Sequence, residues 1–574
     1  MHFGVSHADQ TVTTFSYDPT GNCTAVLTQT GPRHSPLTAK TEYHRDALGR
    51  ICKIVSPSGS CVQLTYDPAG NVIRLDEGKD GNLRTTFLEY DAANRLVLQL
   101  NPDQSRTRFV HDAGNRLIER TVAYGTSEAA TTSYEYDGLD RRTRMTTHSS
   151  SGASEVVTYG YDPSSNLTSL TNGRGKRWSF RHDLLERLIE ATDPLGRVTG
   201  YRYEVEDRPG GKVEVVTRTL NGVPRVRTTY DLADRPARVE YFSAAGTPQE
   251  TVTLGYDPFG NVLSCSSTNG TGIVRELDSM DRVLAETRAH LGKTTRLTYD
   301  LAGNRRTLSI DGMPAASRTY TWDPANRLTR IDGPGSATVG FEYDAHDRRS
   351  RATLGNGVTV DYGHDSAGRI ERLTYKRSGS PFFTLSLTYD LRGNVRTRTR
   401  DDGTVRTDTF TYDNLDRLTA ALYGDGTSEA WEHDANGNWT RVTSGAETRD
   451  FTVDEADQYV RVDGPGTASV SYQFTTAGEW SLSQVAGTTR PTLYGWNPVG
   501  QLVSVVAADS TQLSLDYEPA AVGGLRWRST MAGGTLTQTR TLWDGDGSVL
   551  AELDPDNHVT RLYVNGTRLD EVFG

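Results

Sequence analysis

One hexapeptide returns throughout the chain. Tyr17-Asp18-Pro19-Thr20-Gly21-Asn22 recurs as Tyr66-Asp67-Pro68-Ala69-Gly70-Asn71, Tyr256-Asp257-Pro258-Phe259-Gly260-Asn261, Tyr299-Asp300-Leu301-Ala302-Gly303-Asn304 and Tyr389-Asp390-Leu391-Arg392-Gly393-Asn394. A fixed period is the mark of a repeat architecture and outranks any domain count taken from length. Followed through looser copies, the aspartate slot falls at 18, 46, 67, 91, 112, 137, 162, 183, 204, 231, 257, 278, 300, 323, 344, 365, 390, 413, 434, 454, 475, 497, 518 and 544, in steps of 20 to 28 residues, most often 21. Length alone would suggest three or four domains of about 150 residues. The period instead makes residues 1–574 a single array of about 24 units.

Each slot of the motif specifies part of a turn. The first-position Asp accepts backbone N–H bonds, Pro at the second (Pro19, Pro68, Pro163, Pro258, Pro324, Pro498, Pro519) fixes φ, and the fourth position requires positive φ. Of the 24 fourth positions, 11 are Gly, seven Asp and three Asn, the residues that best tolerate the left-handed region, while Ser165, Glu186 and Ala521 depart. Arg or Asn usually follows, then an apolar strand starter such as Ile51, Val72 or Leu96. A second turn signal falls midway, as in Pro57-Ser58-Gly59, Asp80-Gly81-Asn82, Asp193-Pro194-Leu195-Gly196 and Asp402-Gly403. Two turns in about 21 residues leave two strands of about six to eight, so each repeat reads as a β-hairpin. The expected fold is all-β, tandem hairpins in one long antiparallel sheet with the tyrosine-slot rings Tyr17, Tyr66, Tyr90, His111, Tyr136 and Tyr161 in a stacked stripe. About 48 strands at about 4.8 Å spacing would span roughly 230 Å, so such a sheet must spiral or wrap. His182–Ile189 has apolar residues at helical spacing, but Asp183 and Arg187 keep the repeat register, and the segment reads as strand-turn-strand.

Composition narrows the classes of function. Apolar residues make up 35%, mean hydropathy is -0.57, and no run approaches the roughly 18 apolar residues of a membrane span, which excludes a polytopic membrane protein. A net charge of -11 argues against nucleic acid as the main partner. Of 62 basic residues only seven are lysine. Two causes fit that excess of arginine, codon bias in a GC-rich genome and guanidinium groups stacking on tyrosine. Four cysteines do not make a disulfide scaffold. Cys52 and Cys61 flank the turn-like Ser56-Pro57-Ser58-Gly59 and could approach each other, though facing pairs need a particular register. Met1-His2-Phe3-Gly4 opens without the pattern of a signal peptide.

Aspartate in nearly every repeat suggests carboxylate pairs for catalysis, but a catalytic dyad needs one special environment, and two dozen equivalent positions cannot each be special. The same logic covers His111, His182, His364 and His433, which occupy the tyrosine slot in different hairpins and are not spaced to converge on a metal. Arg396, Arg398 and Arg400 alternate with threonines ahead of Asp401 and Asp402 and read as a solvated face. Gly333-Pro334-Gly335 and Gly464-Pro465-Gly466 lack the helix that a phosphate cradle needs and read as hairpin tips. No Gly-x-Ser-x-Gly elbow, His-Glu-x-x-His helix or paired Cys-x-x-Cys is present. The chain is therefore expected to have no catalytic, cofactor or metal site and no enzymatic activity. Its distinctive residues are those of the repeat itself: Tyr17, Asp18, Gly21, Tyr66, Asp67, Gly70, Tyr90, Asp91, Tyr136, Asp137, Tyr161, Asp162, Tyr230, Asp231, Tyr256, Asp257, Gly260, Tyr299, Asp300, Gly303, Tyr343, Asp344, Tyr389, Asp390, Gly393, Tyr412 and Asp413.

Those literal Tyr-Asp pairs, with Gly-Asn or Asx-Arg after them, resemble the YD repeat of the Rhs family, which includes bacterial Rhs polymorphic toxins, wall-associated proteins, the C component of Tc toxins and, with a related shell, teneurins. The resemblance covers essentially the whole chain. It implies a sheet wound into a hollow β-shell that encloses and protects a C-terminal toxin or effector domain of the same polypeptide until delivery. It also implies a secreted or cell-surface location, with a secretion-system component or carbohydrate as further partners. Bacterial members end in a core region with a Pro- and Asp-containing signature; Leu562-Tyr563-Val564-Asn565-Gly566-Thr567-Arg568-Leu569-Asp570-Glu571-Val572-Phe573-Gly574 does not match it. The chain is thus expected to be a piece of a longer shell without that core and the toxin region. A container and an extracellular adhesion module both fit: the first calls for a large polar cavity, the second for an exposed aromatic groove.

Overall fold

The computed structural model describes residues 2–6, 12–30, 37–79, 81–148, 154–334, 338–465, 469–497, 501–517, 525–532, 535–543, 549–554 and 559–562. Among them are fifty strands, from His2–Ser6 to Val559–Leu562, and two single 3₁₀ turns, Ala289–Leu291 and Pro314–Ala316. Strands pair antiparallel with their sequence neighbours: Val12–Tyr17 with Cys23–Thr30, and Cys23–Thr30 in turn with Leu37–Arg45. The all-β hairpin array expected from the repeat is the fold observed. Arg177–His182 and Leu188–Thr192 are strands joined by a tight turn, because Asp183 captures the N–H groups of Leu185 and Arg187 before a helix can use them. No helix among the described residues is long and apolar enough to cross a membrane.

The chain divides into two compact units. One comprises Met1–Ser154, Leu297–Leu308 and Ser317–Ala430; the other comprises Glu155–Arg296, Ser309–Ala316 and Trp431–Gly574. Each unit therefore holds an early and a late stretch of the array.

Burial shows how little of this chain forms a solid core. Along Glu155–Tyr161 all seven residues are half-buried, where a sheet packed on one face would alternate buried and exposed. Such alternation does occur at Gly272–Leu277, where Ile273 is 2% and Val274 58% exposed. Ile273 there packs with Tyr241, Val252 and Cys265 in a cluster of the second unit. The accessible surface is 30454 Å², whereas a solid monomer of this mass would expose about 20,000 Å². Strands half-buried along their whole length, such as Glu155–Tyr161, contribute to that excess.

One expectation needs correction, and one open pairing is decided. The slot at Glu204 is not a turn: Val198–Arg208 is one strand of 11 residues, pairing with Gly211–Leu220 through Glu204↔Val215 without a break. The chain turns instead at Pro209-Gly210, where Gly210 has φ 97°. Glu carries one methylene more than Asp and does not make the compact Asx turn, so the Pro-Gly pair wins. Cys52 and Cys61 do not face each other either. Cys61 pairs with Val55, three residues beyond Cys52, and both thiols are free.

Glu186 sits in the fourth slot at φ 62° although its side chain gains nothing from that region. Glu186→Gly should raise the denaturation midpoint, the relief of backbone strain outweighing the added freedom of the unfolded chain. A lowered midpoint would show that the turn is not strained there.

Candidate functional site

Each repeat's turn is built the same way. At Asp46 the backbone N–H bonds the Arg50 carbonyl at 2.9 Å and the Gly49 N–H returns to the Asp46 carbonyl at 3.0 Å. This is a type I turn closed by a left-handed residue, the bulged three-residue hairpin loop. Asp46 Oδ1 accepts the N–H groups of Leu48 and Arg50 at 2.9 and 3.0 Å, and Oδ2 accepts Arg50 Nε at 2.7 Å. Both carboxylate oxygens are spent inside the turn.

The repeat residues fall on this frame. Tyr17, Tyr66, Tyr90, Tyr136, Tyr161, Tyr230, Tyr256, Tyr299, Tyr343, Tyr389 and Tyr412 each end a strand. Asp18, Asp67, Asp91, Asp137, Asp162, Asp231, Asp257, Asp300, Asp344, Asp390 and Asp413 each open the turn, with the N–H bonded to the carbonyl four residues on. Gly21, Gly70, Gly260, Gly303 and Gly393 have φ of 89°, 96°, 101°, 87° and 99°. Among the described residues every fourth slot except Asp207 has positive φ, including Ser165 at 72°. The fourth slots at Gly500, Ala521 and Gly547 lie outside the described residues.

Successive repeats are joined through the residue four after the Asp. Arg50 Nη1 reaches the Asp67 carbonyl of the next turn at 3.3 Å, and Arg95, Arg116 and Arg235 make the same bond to Asp112, Asp137 and Asp257 at 2.7, 3.2 and 3.0 Å. The same guanidinium lies over the next tyrosine: Arg50 over Tyr66 at 4.4 Å, Arg235 over Tyr256 at 4.5 Å, Arg327 over Tyr343 at 4.6 Å and Arg369 over Tyr389 at 4.5 Å. The hydroxyls of Tyr66, Tyr136, Tyr256, Tyr343, Tyr389 and Tyr412 donate back to a carbonyl of the preceding repeat at 2.6 to 3.0 Å. The expected ring-on-ring stripe is thus corrected to an alternation of ring and guanidinium. One strand intervenes between successive tyrosines, setting them two strand spacings, about 10 Å, apart, and the planar cation spans a gap too wide for ring contact. Stacking is therefore one structural use of the arginine excess.

These contacts hold the turn carboxylates ionised. The Thr20 hydroxyl, with the Asn22 N–H, holds Asp18 at about 2, and the Arg95 guanidinium holds Asp91 at about 2. Arginine side chains likewise lower Asp46, Asp137, Asp183 and Asp231, and asparagine amides lower Asp67, Asp162 and Asp257. A general acid needs the opposite shift. An unfolded Asp titrates near 3.9, so the folded chain binds fewer protons between about pH 4 and 2. The stabilisation is complete above about pH 4 and is lost as pH falls toward 2. The urea midpoint should stay level from pH 7 to 5 and drop steeply from pH 4 to 2; a level profile down to pH 2.5 would contradict this frame.

Within each unit, turns of the early stretch clasp turns of the late one. In the first unit the hydroxyls of Ser58 and Ser60 donate to Asp347 Oδ2 at 3.0 and 2.6 Å, Arg369 pairs with Asp103 at 3.2 Å, and the Leu391 N–H donates to Glu128 at 2.8 Å. In the second, Asp457 accepts Arg174 Nη1 at 2.6 Å and Asn172 Nδ2 at 3.1 Å, and Lys176 pairs with Glu455 at 2.9 Å. Side-chain hydrogen bonds of this kind join residues 251 to 289 apart in sequence. A midway turn of the early stretch meets a Tyr-Asp turn of the late one. Nothing in the local pattern announces these partners. The expected solvated face at Arg396, Arg398 and Arg400 is exposed, at 64%, 39% and 42%, and from it Arg398 and Arg400 also bond the wholly buried Asp408 of the next strand, at 2.8 and 3.2 Å. A buried carboxylate recruits paired cations.

Geometry of this kind defines a tandem β-hairpin repeat protein whose turns are cross-braced by Asp, Arg and Tyr. The teneurin YD-shell family model matches residues 369–538, and the RHS repeat model matches residues 90–127, 161–198 and 322–359. Over those residues the chain thus carries RHS repeats and a teneurin YD-shell segment. It is similar to the double-stranded DNA deaminase toxin A of Burkholderia cenocepacia (strain H111), 28% identical over 268 residues, which is 44% of this chain and 17% of that protein. In fold it is similar to the Tc holotoxin pore of Photorhabdus luminescens (TM-score 0.53, 14% identity, 99% of this chain and 34% of that one). It is also similar to a TcdB2-TccC3-TEV crystal structure (TM-score 0.58, 14% identity, 97% and 34%). The chain thus spans about a third of the solved chains it resembles and less of the toxin relative.

Proposed function

We propose that this chain is a wall segment of an Rhs-type shell, one continuous array over residues 1–574, and that the shell encloses and protects an effector carried C-terminally in the same polypeptide. The wall itself performs no catalysis, and the assembly acts after secretion or at the cell surface. The observation that carries this reading is the large exposed area: 30454 Å² of surface where a solid monomer would expose about 20,000 Å². A wetted face of that size suits a container wall. The toxin relative, of which the match covers only 17%, supports the same reading.

Limited proteolysis of the natural full-length polypeptide tests it. The region beyond the repeats should resist protease in the native protein and be cleaved at once when the wall is unfolded in urea. Rapid cleavage of that region in the native state, or solution scattering from a solid particle, would overturn the container. An adhesion module is the second reading, favoured by Trp439 and Trp480, which are 43% and 41% exposed on the late stretch of the second unit. Glycan-array binding lost in Trp439→Ala would support it.

A further inference from the structure

Inside the first unit, the early strand Asn82–Tyr90 and the midway turn at Asn101–Gln104 meet the late turns at His346–Arg348 and His364–Ser366 around a cavity of about 390 Å³. The groups it gathers are chiefly cationic or able to become so. Arg84 and Arg348 close on one point from opposite stretches: a Cβ on Gly368 would lie 2.5 Å from Arg84 Nη1 and 3.2 Å from Arg348 Nη1. Gly368 stands at φ 91°, in the fourth slot of its turn, and its missing side chain makes that convergence possible. His346 and His364 complete the lining.

The carboxylates nearby each pair with an arginine, Asp344 and Glu77 with the site's own Arg348 and Arg84, Asp365 and Asp103 with Arg369. Asp344 accepts Arg348 Nε at 2.8 Å and lies 3.7 Å from His364 Nδ1. Asp365 accepts Arg369 Nε at 2.7 Å, and Asp103 pairs with the same guanidinium. Glu77 approaches Arg84 only to 3.6 Å. Arg84 Nη1 donates to the Ala367 carbonyl at 3.2 Å, and Arg348 Nη2 lies 3.3 Å from His346 Nδ1. Two buried guanidinium nitrogens then have no protein partner, Arg84 Nε and Arg348 Nη1, while the His346 ring bonds the Glu77 backbone. Buried donors left over beside two converging guanidiniums match the donor set that binds a tetrahedral oxyanion.

We propose that this cavity binds a small divalent oxyanion, sulfate or phosphate, held between Arg84 and Arg348 with the His346 ring beside them. The anion would tie an early strand to two late turns and so fasten the clasp of that unit from within. Burial first, then Arg348 and Arg84, hold His346 below its ordinary value; burial first, then Arg348, lowers His364. A dianion reverses the sign of that field, so binding and proton uptake by the rings favour each other.

Sulfate is the suitable probe because its charge does not change between pH 6 and 8. Calorimetric titration of the full chain with sodium sulfate, at ionic strength held constant with chloride, should give one saturable site. It should bind several-fold more tightly at pH 6 than at pH 8. Arg84→Gln should weaken binding at least tenfold, while Arg202→Gln, at an exposed position in the other unit, should leave it unchanged. His346→Gln keeps both guanidiniums and should bind sulfate with much less dependence on pH. No saturable heat from the unaltered chain, equal affinity in Arg84→Gln, or tighter binding at pH 8 would each overturn the assignment.

Discussion

Asp457→Ala is expected to be the most damaging single substitution in the turn rows of the second unit, lowering stability by about 3 kcal/mol. This carboxylate accepts Arg174 and Asn172 from the early stretch and, from its own stretch, Asn436 Nδ2 at 2.7 Å and Asn438 Nδ2 at 2.8 Å. Alanine removes four acceptances at once and leaves the guanidinium, whose side chain is only 19% exposed, with Asp434 at 3.2 Å and the Asp454 carbonyl at 2.7 Å. Its φ of 63° adds a cost for any residue with a Cβ that makes no local bond. Asp457→Gly removes that backbone cost and should lie between Ala and the unaltered chain. Hydrogen exchange should speed up over Leu167–Thr171 and Tyr459–Asp463 before the rest of the unit. An effect below about 0.5 kcal/mol, the size of an ordinary surface change, would mean that the clasp contributes nothing.

Gly70→Val should cost about 2–3 kcal/mol, chiefly through its backbone. Gly70 stands at φ 96°, and the nearest atom to an added Cβ would be Arg50 Nη1 at 3.9 Å, so no clash enters the comparison. A β-branched residue there must either hold a forbidden conformation or open the turn. Asp140→Gly acts on the same slot in the opposite sense. It relaxes a φ of 62° and gives up a bridge to Arg116 whose carboxylate end is 73% exposed, a loss of at most about 1 kcal/mol. The two terms oppose each other, so its midpoint should barely move. Equal midpoints for the two variants would show that left-handed backbone is not what the slot selects.

Turn chemistry is local, and for that reason the sequence alone determined the hairpins. Asp at the head of the turn, a left-handed residue three positions on and Arg or Asn after it bond only within five residues, as Asp46, Gly49 and Arg50 show. The period of about 21 residues then dictated antiparallel neighbours. Where the local chemistry was weak the reading failed: Glu204 keeps the register but lacks the short carboxylate, and the strand runs through it. The ring stripe failed for another reason. Counting residues placed Tyr66 correctly, but only the sheet's strand spacing decided that Arg50, and not Tyr90, would lie against it. Tertiary structure alone decided the clasp of Arg174 on Asp457 and the meeting of Arg84 with Arg348 across Gly368. Which turn meets which depends on twist and curvature summed over hundreds of residues of sheet, and no single repeat encodes that sum.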